Sequence, residues 1–271
     1  LIEWYLLNKR DLPWRHTQNP YYVFLSEIIL QQTRVNQGLP YYLEFTHKLA
    51  DAADKISMAR FGAMDLKIET KPDLTPVSDA DKSVEEELRK LIGKYSSSDS
   101  IIGEEFGHDG GGNREWILDP IDGTKNFVRG VPFWGTLIGL RVDGVMTTGM
   151  VSAPALGRRW FGATGLGSFL QTKTNSFQSE RKLQVSKVSK LEDAYLGYSS
   201  QDNWKSKSQE DEFEKLLKRV WRARGFGDFI IHMMVAEGSL DLSMEPSLAI
   251  WDMAALIPII TEAGGKVTSL S

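Results

Sequence analysis

The chain has 271 residues, of which 41% are hydrophobic and 25% are charged, a composition that excludes a disordered or low-complexity protein. Thirty-two basic and 36 acidic residues give a net charge of −4, which argues against broad attraction to nucleic acid or an anionic membrane. The absence of cysteine excludes disulfides and thiolate metal sites, and the absence of an apolar stretch of about 18 residues indicates a cytoplasmic protein without a membrane span.

The first 48 residues differ in character from the rest of the chain. Apolar residues at helical spacing predict a helix from Leu25 to Val35 in this part. We therefore divide the chain into a short helical fragment, residues 1–48, without a function of its own, and a main domain, residues 49–271.

The main domain begins with two predicted helices. Residues 49–59 carry one apolar stripe at helical spacing. Ser78 is predicted to cap the next helix, with Asp81 reaching back to it as in a capping box, and apolar residues then repeat from Val84 to Tyr95. The three consecutive glycines between His108 and Asn113 predict a loop.

Strands dominate the middle of the chain, and helices return near its end. A short buried strand is predicted over 116–118, ending at Asp119-Pro120, and a hairpin is predicted around Asp143-Gly144. Further helices are predicted over 213–220, 228–237 and 252–263. These elements together predict an α/β or α+β fold with layered helices and sheets.

Four acidic motifs stand where the chain changes direction: Asp79-Ala80-Asp81, Gly103-Glu104-Glu105, Asp119-Pro120-Ile121-Asp122-Gly123-Thr124 and Trp251-Asp252. Asp119 and Asp122 flank a turn that can aim both carboxylates, with the Ile121 carbonyl, at one point. Because only oxygen ligands are available, we expect Mg²⁺ rather than Zn²⁺. The backbone N–H groups of Gly123 and Thr124 suit a phosphate.

Each motif also has a purely structural interpretation. Asp-Pro and Asp-Gly are common in turns, Asp252 could simply cap a helix, and Glu104-Glu105 could be a solvated pair. The chemical interpretation is favoured because the four motifs occur in one chain.

Three motifs in this order resemble those of the inositol monophosphatase superfamily over about residues 49–271. They are Gly103-Glu104-Glu105, the segment from Trp116 to Phe127, and Trp251 to Ala255 with Glu262 to Gly265. Within that superfamily, the segments Lys125 to Pro132 and Ser152 to Trp160 resemble the histidinol-phosphate phosphatases of bacteria. The resemblance implies alternating helix and sheet layers, a homodimer and Mg²⁺-dependent hydrolysis of a small phosphomonoester.

The resemblance also implies roles for particular residues. Two or three Mg²⁺ ions would be held by Glu104, Asp119, the Ile121 carbonyl, Asp122 and Asp252. Thr124, paired with Asp81, would orient or deprotonate the attacking water, and the N–H groups of Gly123 and Thr124 would hold the phosphate. Glu245 would face the alcohol portion of the substrate, although a turn role before Pro246 is an equal alternative.

Two chemical alternatives concern the nucleophile and the substrate. An aspartyl nucleophile would need the pattern Asp-x-Asp-x-Thr, and the spacing here is one residue too long, so metal-activated water is favoured. Asp228, at a helix start, suits a cationic amine such as that of histidinol phosphate, but it could merely cap the helix or favour the helix dipole. Inositol-1-phosphate or another small sugar phosphate is the alternative substrate.

Residues 1–48 resemble a different family, the adenine-specific DNA glycosylases. The resemblance rests on Leu12-Pro13-Trp14-Arg15 and on the segment from Leu25 to Val35, where Glu27 matches the catalytic acid and Gln31-Gln32 the base contacts. A DNA-repair or DNA-binding role through this segment is therefore an alternative of another class. The missing remainder of that machinery and the acidic net charge argue against it.

Overall fold

A computed structural model describes residues 35–72, 75–174, 177–207 and 209–269. The helix predicted from Leu25 to Val35 lies outside these residues, apart from Val35 itself. None of the described helices combines the length and the apolar character needed to cross a bilayer.

The described chain contains eight α-helices and thirteen strands, numbered here in chain order. The helices are α1 (Val35–Arg60), α2 (Asp79–Tyr95), α3 (Thr124–Val128), α4 (Gln201–Ser206), α5 (Glu210–Leu217), α6 (Asp228–Ala236), α7 (Ile250–Ala254) and α8 (Leu256–Glu262). The strands are β1 (Ile68–Thr70), β2 (Pro76–Ser78), β3 (Ser100–Gly103), β4 (Gly107–Asp109), β5 (Arg114–Asp122), β6 (Gly135–Val142), β7 (Val145–Ala153), β8 (Arg158–Ala163), β9 (Gly167–Thr174), β10 (Phe177–Lys182), β11 (Tyr195–Tyr198), β12 (Arg222–Gly225) and β13 (Leu242–Met244).

One large sheet forms the centre of the fold, in the order β10-β9-β8-β7-β6-β5-β3-β4. Its two faces carry different apolar clusters, because neighbouring residues of a strand point to opposite faces. Ile138 of β6 packs in one cluster with Leu49 of α1 and Leu88 of α2. The adjacent Leu137 packs in another with Ile259 of α8. Helices therefore cover both faces of the sheet.

A small parallel sheet, in the order β12-β11-β13, forms a further layer beyond α6. Leu196 of β11 packs with Trp204 of α4 and Phe213 of α5 on one face. The next residue, Gly197, faces Ile231 of α6, since a Cβ there would lie 3.0 Å from its side chain. The fold thus alternates helix and sheet layers, which confirms the predicted fold class.

Helices α7 and α8 lie unusually close to the large sheet. A Cβ on Gly149 of β7 would lie 1.9 Å from the carbonyl oxygen of Ala255, so only glycine fits there. A single helix was predicted over 252–263, but the structure divides it at Ala255. Pro258 explains the break, because it has no N–H to donate to the carbonyl of Ala254.

Several local predictions are confirmed. The Ser78–Asp81 capping box is formed at the start of α2. The predicted hairpin joins β6 and β7, and its turn residues Asp143 and Gly144 both have positive φ, 49° and 81°, as tight hairpin turns require.

Three predicted element limits are wrong. The helix predicted over 213–220 is α5, which begins at Glu210 and ends at Leu217. The predicted loop from His108 to Asn113 begins with two residues of β4, which pair with β3. The predicted end of the strand at Asp119-Pro120 is also wrong, because β5 continues to Asp122. Pro120 is tolerated because it lies in the bulge between Asp119 and Asp122, where no ladder hydrogen bond needs its missing N–H.

Helix α1 passes without interruption through the boundary predicted between residues 48 and 49. Leu39 and Phe45, on the N-terminal side of that boundary, are buried. The ring of Phe45 stacks on that of Tyr95 with centroids 3.9 Å apart. The division into two parts stays a prediction, but residues 39–48 contribute to the core of the main domain.

We expect Phe45→Ala to lower the free energy of unfolding by about 3–5 kcal/mol, because it removes a buried ring that packs on Tyr95 and Trp116. The matched control is Tyr41→Ala, on the same helix but 58% exposed, which should change stability by less than about 0.5 kcal/mol. Urea denaturation of both variants measures the difference. Equal stabilities would show that α1 does not depend on this packing.

Candidate active site

A bulge in β5 brings Asp119 and Asp122 to the same side of the large sheet. In a regular strand, side chains three residues apart point to opposite faces. Here Asp119 pairs with Leu137 while Asp122 pairs with Gly135, so β5 contains one extra residue relative to β6. Because of the extra residue, the side chains of Asp119 and Asp122 lie on the same face of the sheet, and both carboxylates point to one place.

Asp252, from the C-terminal part of the chain, lies at the same place. It lies in the first turn of α7, and its Oδ2 accepts a hydrogen bond from the N–H of Ala249 at 2.6 Å. One carboxylate oxygen each from Asp119, Asp122 and Asp252 lies within 4.8 Å of the others. The structure therefore brings these three predicted ligands together.

The electrostatics of this cluster favour a cation. Burial, followed by the negative charge of Glu104, raises the pKa of Asp119 well above its usual range. Burial and the charge of Asp228 do the same to the pKa of Asp122, and burial raises the pKa of Asp252 to about 6. Asp119 Oδ1 is buried without a hydrogen-bond partner. A hard cation with oxygen ligands would satisfy that oxygen and offset the repulsion.

Glu104 stands beside this cluster rather than in it. Its Oε1 accepts a hydrogen bond from Lys71 Nζ at 2.7 Å, and Lys71 also bonds Glu105 Oε1 at 2.6 Å. Burial disfavours the Lys71 ammonium, but the two carboxylates outweigh it and raise the Lys71 pKa. Burial raises the pKa of Glu105 to about 7 despite the Lys71 hydrogen bond. The predicted ligand Glu104 is thus paired with a lysine.

Asp81 and Thr124 meet as predicted. The Thr124 hydroxyl lies 3.2 Å from Asp81 Oδ1 and 3.0 Å from the Ile121 carbonyl oxygen. The other oxygen of Asp81 accepts the Ser78 N–H at 2.8 Å, which completes the capping box. Burial raises the pKa of Asp81. A single buried acid therefore both caps α2 and contacts the Thr124 hydroxyl.

Gly123 forms the link between β5 and α3. Its φ of 83° lies in the left-handed region, which favours glycine. Thr124 is the first residue of α3, so its N–H has no acceptor within that helix. The turn therefore presents backbone N–H groups beside the carboxylate cluster.

Asp228 lies against this turn. A Cβ on Gly123 would lie 3.2 Å from Asp228 Oδ2, and the Asn126 side-chain amide donates to the same oxygen at 3.0 Å. The N-cap of α6 is Gly227, so Asp228 does not cap the helix, but it lies in the first turn, where a negative charge favours the helix dipole. Its φ of 53° is strained for a residue other than glycine. Burial and the charge of Glu245 raise the pKa of Asp228 to about 6.

Glu245 follows β13 and is buried near the same acidic groups. Only 8% of its side chain is exposed, and its Oε1 lies 3.6 Å from Nε2 of His232. Glu245 is close enough to Asp228 and Asp252 for its negative charge to act on both. Burial is the main cause of the raised pKa of each, and the charge of Glu245 adds to it.

Sequence reasoning missed two residues that organise the site. Lys71 lies in a loop, and its contacts with Glu104 and Glu105 span more than 30 positions. Glu85 is fully buried in α2 and accepts the N–H groups of Glu105 at 2.7 Å and Phe106 at 3.2 Å. The available signal for Glu85 was a carboxylate on the apolar face of a predicted helix.

Comparison with known proteins identifies the family. The model of the inositol monophosphatase family matches residues 40–271. The chain belongs to the inositol monophosphatase family. It is 52% identical to a histidinol-phosphatase of Streptomyces coelicolor, over 86% of this chain and 89% of that protein. It is 49% identical to a histidinol-phosphatase of Mycobacterium tuberculosis, over 82% of this chain and 85% of that protein.

Solved structures agree with this membership. An inositol monophosphatase from Zymomonas mobilis is 31% identical and superposes with a TM-score of 0.71, covering 83% of this chain and 84% of that one. The chain is therefore a phosphomonoester hydrolase of this family. The comparisons do not bear out the resemblance of residues 1–48 to DNA glycosylases, and the family match begins inside that segment, at residue 40.

In the presence of a chelator, we expect Asp119→Asn to unfold at the same temperature as the wild type or a few degrees higher. Burial and the neighbouring carboxylates raise the pKa of Asp119, which means that its ionised form is unfavourable in the folded chain. The amide of asparagine carries no charge and removes this unfavourable energy. Asp109→Asn, at an exposed position, is the matched control and should leave the melting temperature unchanged. A melting temperature several degrees lower in Asp119→Asn would contradict this account of the cluster.

Proposed function

We propose that this family member is a Mg²⁺-dependent histidinol-phosphate phosphatase. The observation that carries the substrate assignment is Asp228, a carboxylate held beside the Gly123 turn where it can meet the alkylammonium of a leaving alcohol. The histidinol-phosphatases that share about half of its residues support the same assignment. A homodimer, which the family resemblance implies, stays a prediction.

Magnesium fits the donor set of the site. Two or three ions would be held by Glu104, Asp119, the Ile121 carbonyl, Asp122 and Asp252. All of these donors are oxygen atoms, and one of them, Asp119 Oδ1, is buried without a partner. When bound, Mg²⁺ supplies positive charge to the phosphoryl and leaving oxygens and makes water a stronger nucleophile.

The chain's own groups would orient the reaction. The Thr124 hydroxyl can accept a hydrogen bond from the attacking water while it donates its own proton to Asp81. The N–H groups of Gly123 and Thr124 would bind phosphate oxygens at the end of β5. Asp228 and Glu245 would bind the alcohol portion, on the side of α6 and β13.

The decisive assay compares phosphate release from histidinol phosphate and from inositol-1-phosphate, with Mg²⁺ and with chelator. We expect hydrolysis of histidinol phosphate to exceed that of inositol phosphate at least tenfold and to require Mg²⁺. Preference for inositol phosphate would transfer the assignment to the alternative substrate class. Undiminished turnover in chelator would reject the metal assignment.

Asp119→Asn should lower turnover at saturating substrate by more than about 1,000-fold, because a ligand carboxylate is replaced by a neutral amide. We also expect Mg²⁺ to raise the melting temperature of the wild type but not that of this variant. Asp109→Asn is the control for both measurements. Near-normal turnover in excess Mg²⁺ would exclude Asp119 as a ligand.

Asp228→Asn tests the substrate assignment separately. Asparagine tolerates positive φ, so the backbone at φ 53° is retained while the charge is lost. We expect kcat/KM for histidinol phosphate to fall about 10- to 100-fold, as for a lost charge-assisted hydrogen bond of roughly 1.5–3 kcal/mol. Hydrolysis of glycerol 2-phosphate, whose alcohol is uncharged, should change less than about threefold. Equal losses on both substrates would assign Asp228 a structural role.

A further inference from the structure

His232 connects two elements at the alcohol side of the site. It lies in α6 one turn after Asp228, and only 8% of its side chain is exposed. Its Nδ1 lies 2.9 Å from the Ser243 hydroxyl of β13, and its Nε2 lies 3.6 Å from Oε1 of Glu245. Ser243 and Glu245 both contact His232, so both side chains lie on the side of β13 toward α6.

Two facing atoms in this group are buried without hydrogen-bond partners, His232 Nε2 and Glu245 Oε1. Their separation of 3.6 Å is slightly longer than a hydrogen bond, and a small rotation of either side chain closes it. Burying both atoms unpaired is unfavourable. One tautomer satisfies all three residues, since the Ser243 hydroxyl can donate to Nδ1 while Nε2–H donates to the Glu245 carboxylate.

Glu245 needs such a contact because its surroundings repel it. Asp122, Asp228 and Asp252 all lie close enough for the Glu245 charge to contribute, after burial, to their raised pKa values. An unrestrained carboxylate would move away from these groups. His232 offers an N–H donor that faces Glu245 from α6 and is itself fixed by Ser243.

We propose that His232 is a positioning residue that holds Oε1 of Glu245 and thereby aims the other carboxylate oxygen at the alcohol portion of the substrate. This inference rests on the proposed function, because it assumes that Glu245 meets the leaving alcohol. His232 itself does not contact the substrate. Its effect passes entirely through Glu245, and this dependence can be measured.

A double-mutant cycle with His232→Leu and Glu245→Ala tests the dependence, because alanine removes the acceptor oxygen that His232 faces. For histidinol phosphate, His232→Leu should raise KM about tenfold while kcat changes less than about threefold. His232→Gln, which keeps a side-chain N–H donor, should restore KM to within about threefold of the wild type. In the Glu245→Ala background, His232→Leu should have no further effect on KM, because the group that His232 positions is absent.

A readout without substrate comes from ¹⁵N NMR of the four histidines, with His232 assigned through His232→Gln. We expect a proton on Nε2 in the wild type and a changed Nε2–H resonance in Glu245→Gln. The proposal would be overturned if the two substitutions of the double-mutant cycle changed KM independently of each other. It would also be overturned if the Nε2–H resonance were the same in Glu245→Gln as in the wild type.

Failure of the substrate assignment is distinguishable from failure of this inference. If the wild type does not hydrolyse histidinol phosphate, the proposed function is wrong. The same cycle is then measured with the phosphomonoester that the wild type does hydrolyse, and the NMR comparison is unaffected. A loss of kcat on every substrate together with a lower melting temperature, from His232→Leu but not from Glu245→Gln, would show a structural role only.

Discussion

The mutual repulsion of buried carboxylates is the constraint on which the rest of the site depends. Asp119, Asp122 and Asp252 bring oxygens within 4.8 Å of one another, and burial raises the pKa of each. The folded chain must offset this unfavourable energy elsewhere. It does so with a wide central sheet and a rigid apolar base at the site, where Ile121 packs with Phe127 and Trp134. A mobile loop could not keep three like charges together in this way.

Hydrogen bonds from backbone N–H groups also stabilise the buried carboxylates. Asp122 accepts the N–H of Phe229 at 2.6 Å, Asp252 that of Ala249 at 2.6 Å, and Asp81 that of Ser78 at 2.8 Å. Each bond fixes one carboxylate oxygen and partly offsets the effect of burial on its pKa. The second oxygen is left for the site. The bond from Phe229 also joins α6 to the large sheet, so the same contact orients a candidate ligand and holds two layers together.

Local sequence signals predicted those parts of the fold that depend on near neighbours. The Ser78–Asp81 capping box and the hairpin turn at Asp143-Gly144 need only residues within three positions of each other. The bulge in β5 could not be predicted in this way, because it is defined by pairing with β6. The pairing of Lys71 with Glu104 depends on the fold for the same reason. The candidate ligands were predicted because their order in the sequence matches a family pattern. Their positions relative to one another depend on how the strands of the large sheet pair, which the sequence alone does not show.

The proposed assignment places the groups for phosphate hydrolysis and the groups for the alcohol on different elements of the fold. The groups proposed for hydrolysis come mainly from the end of β5 and the start of α3, whereas Asp228 and Glu245 come from α6 and the end of β13. Hydrogen bonds from the Phe229 N–H to Asp122 and from the Asn126 amide to Asp228 connect these two groups of residues and fix their relative positions. Strained backbone at Asp228 is tolerated because these contacts fix it from both sides. Under the proposed assignment, a change on α6 would alter the alcohol that the site accepts while the carboxylate cluster stays the same, and this chain is indeed similar both to a histidinol-phosphatase and to an inositol monophosphatase.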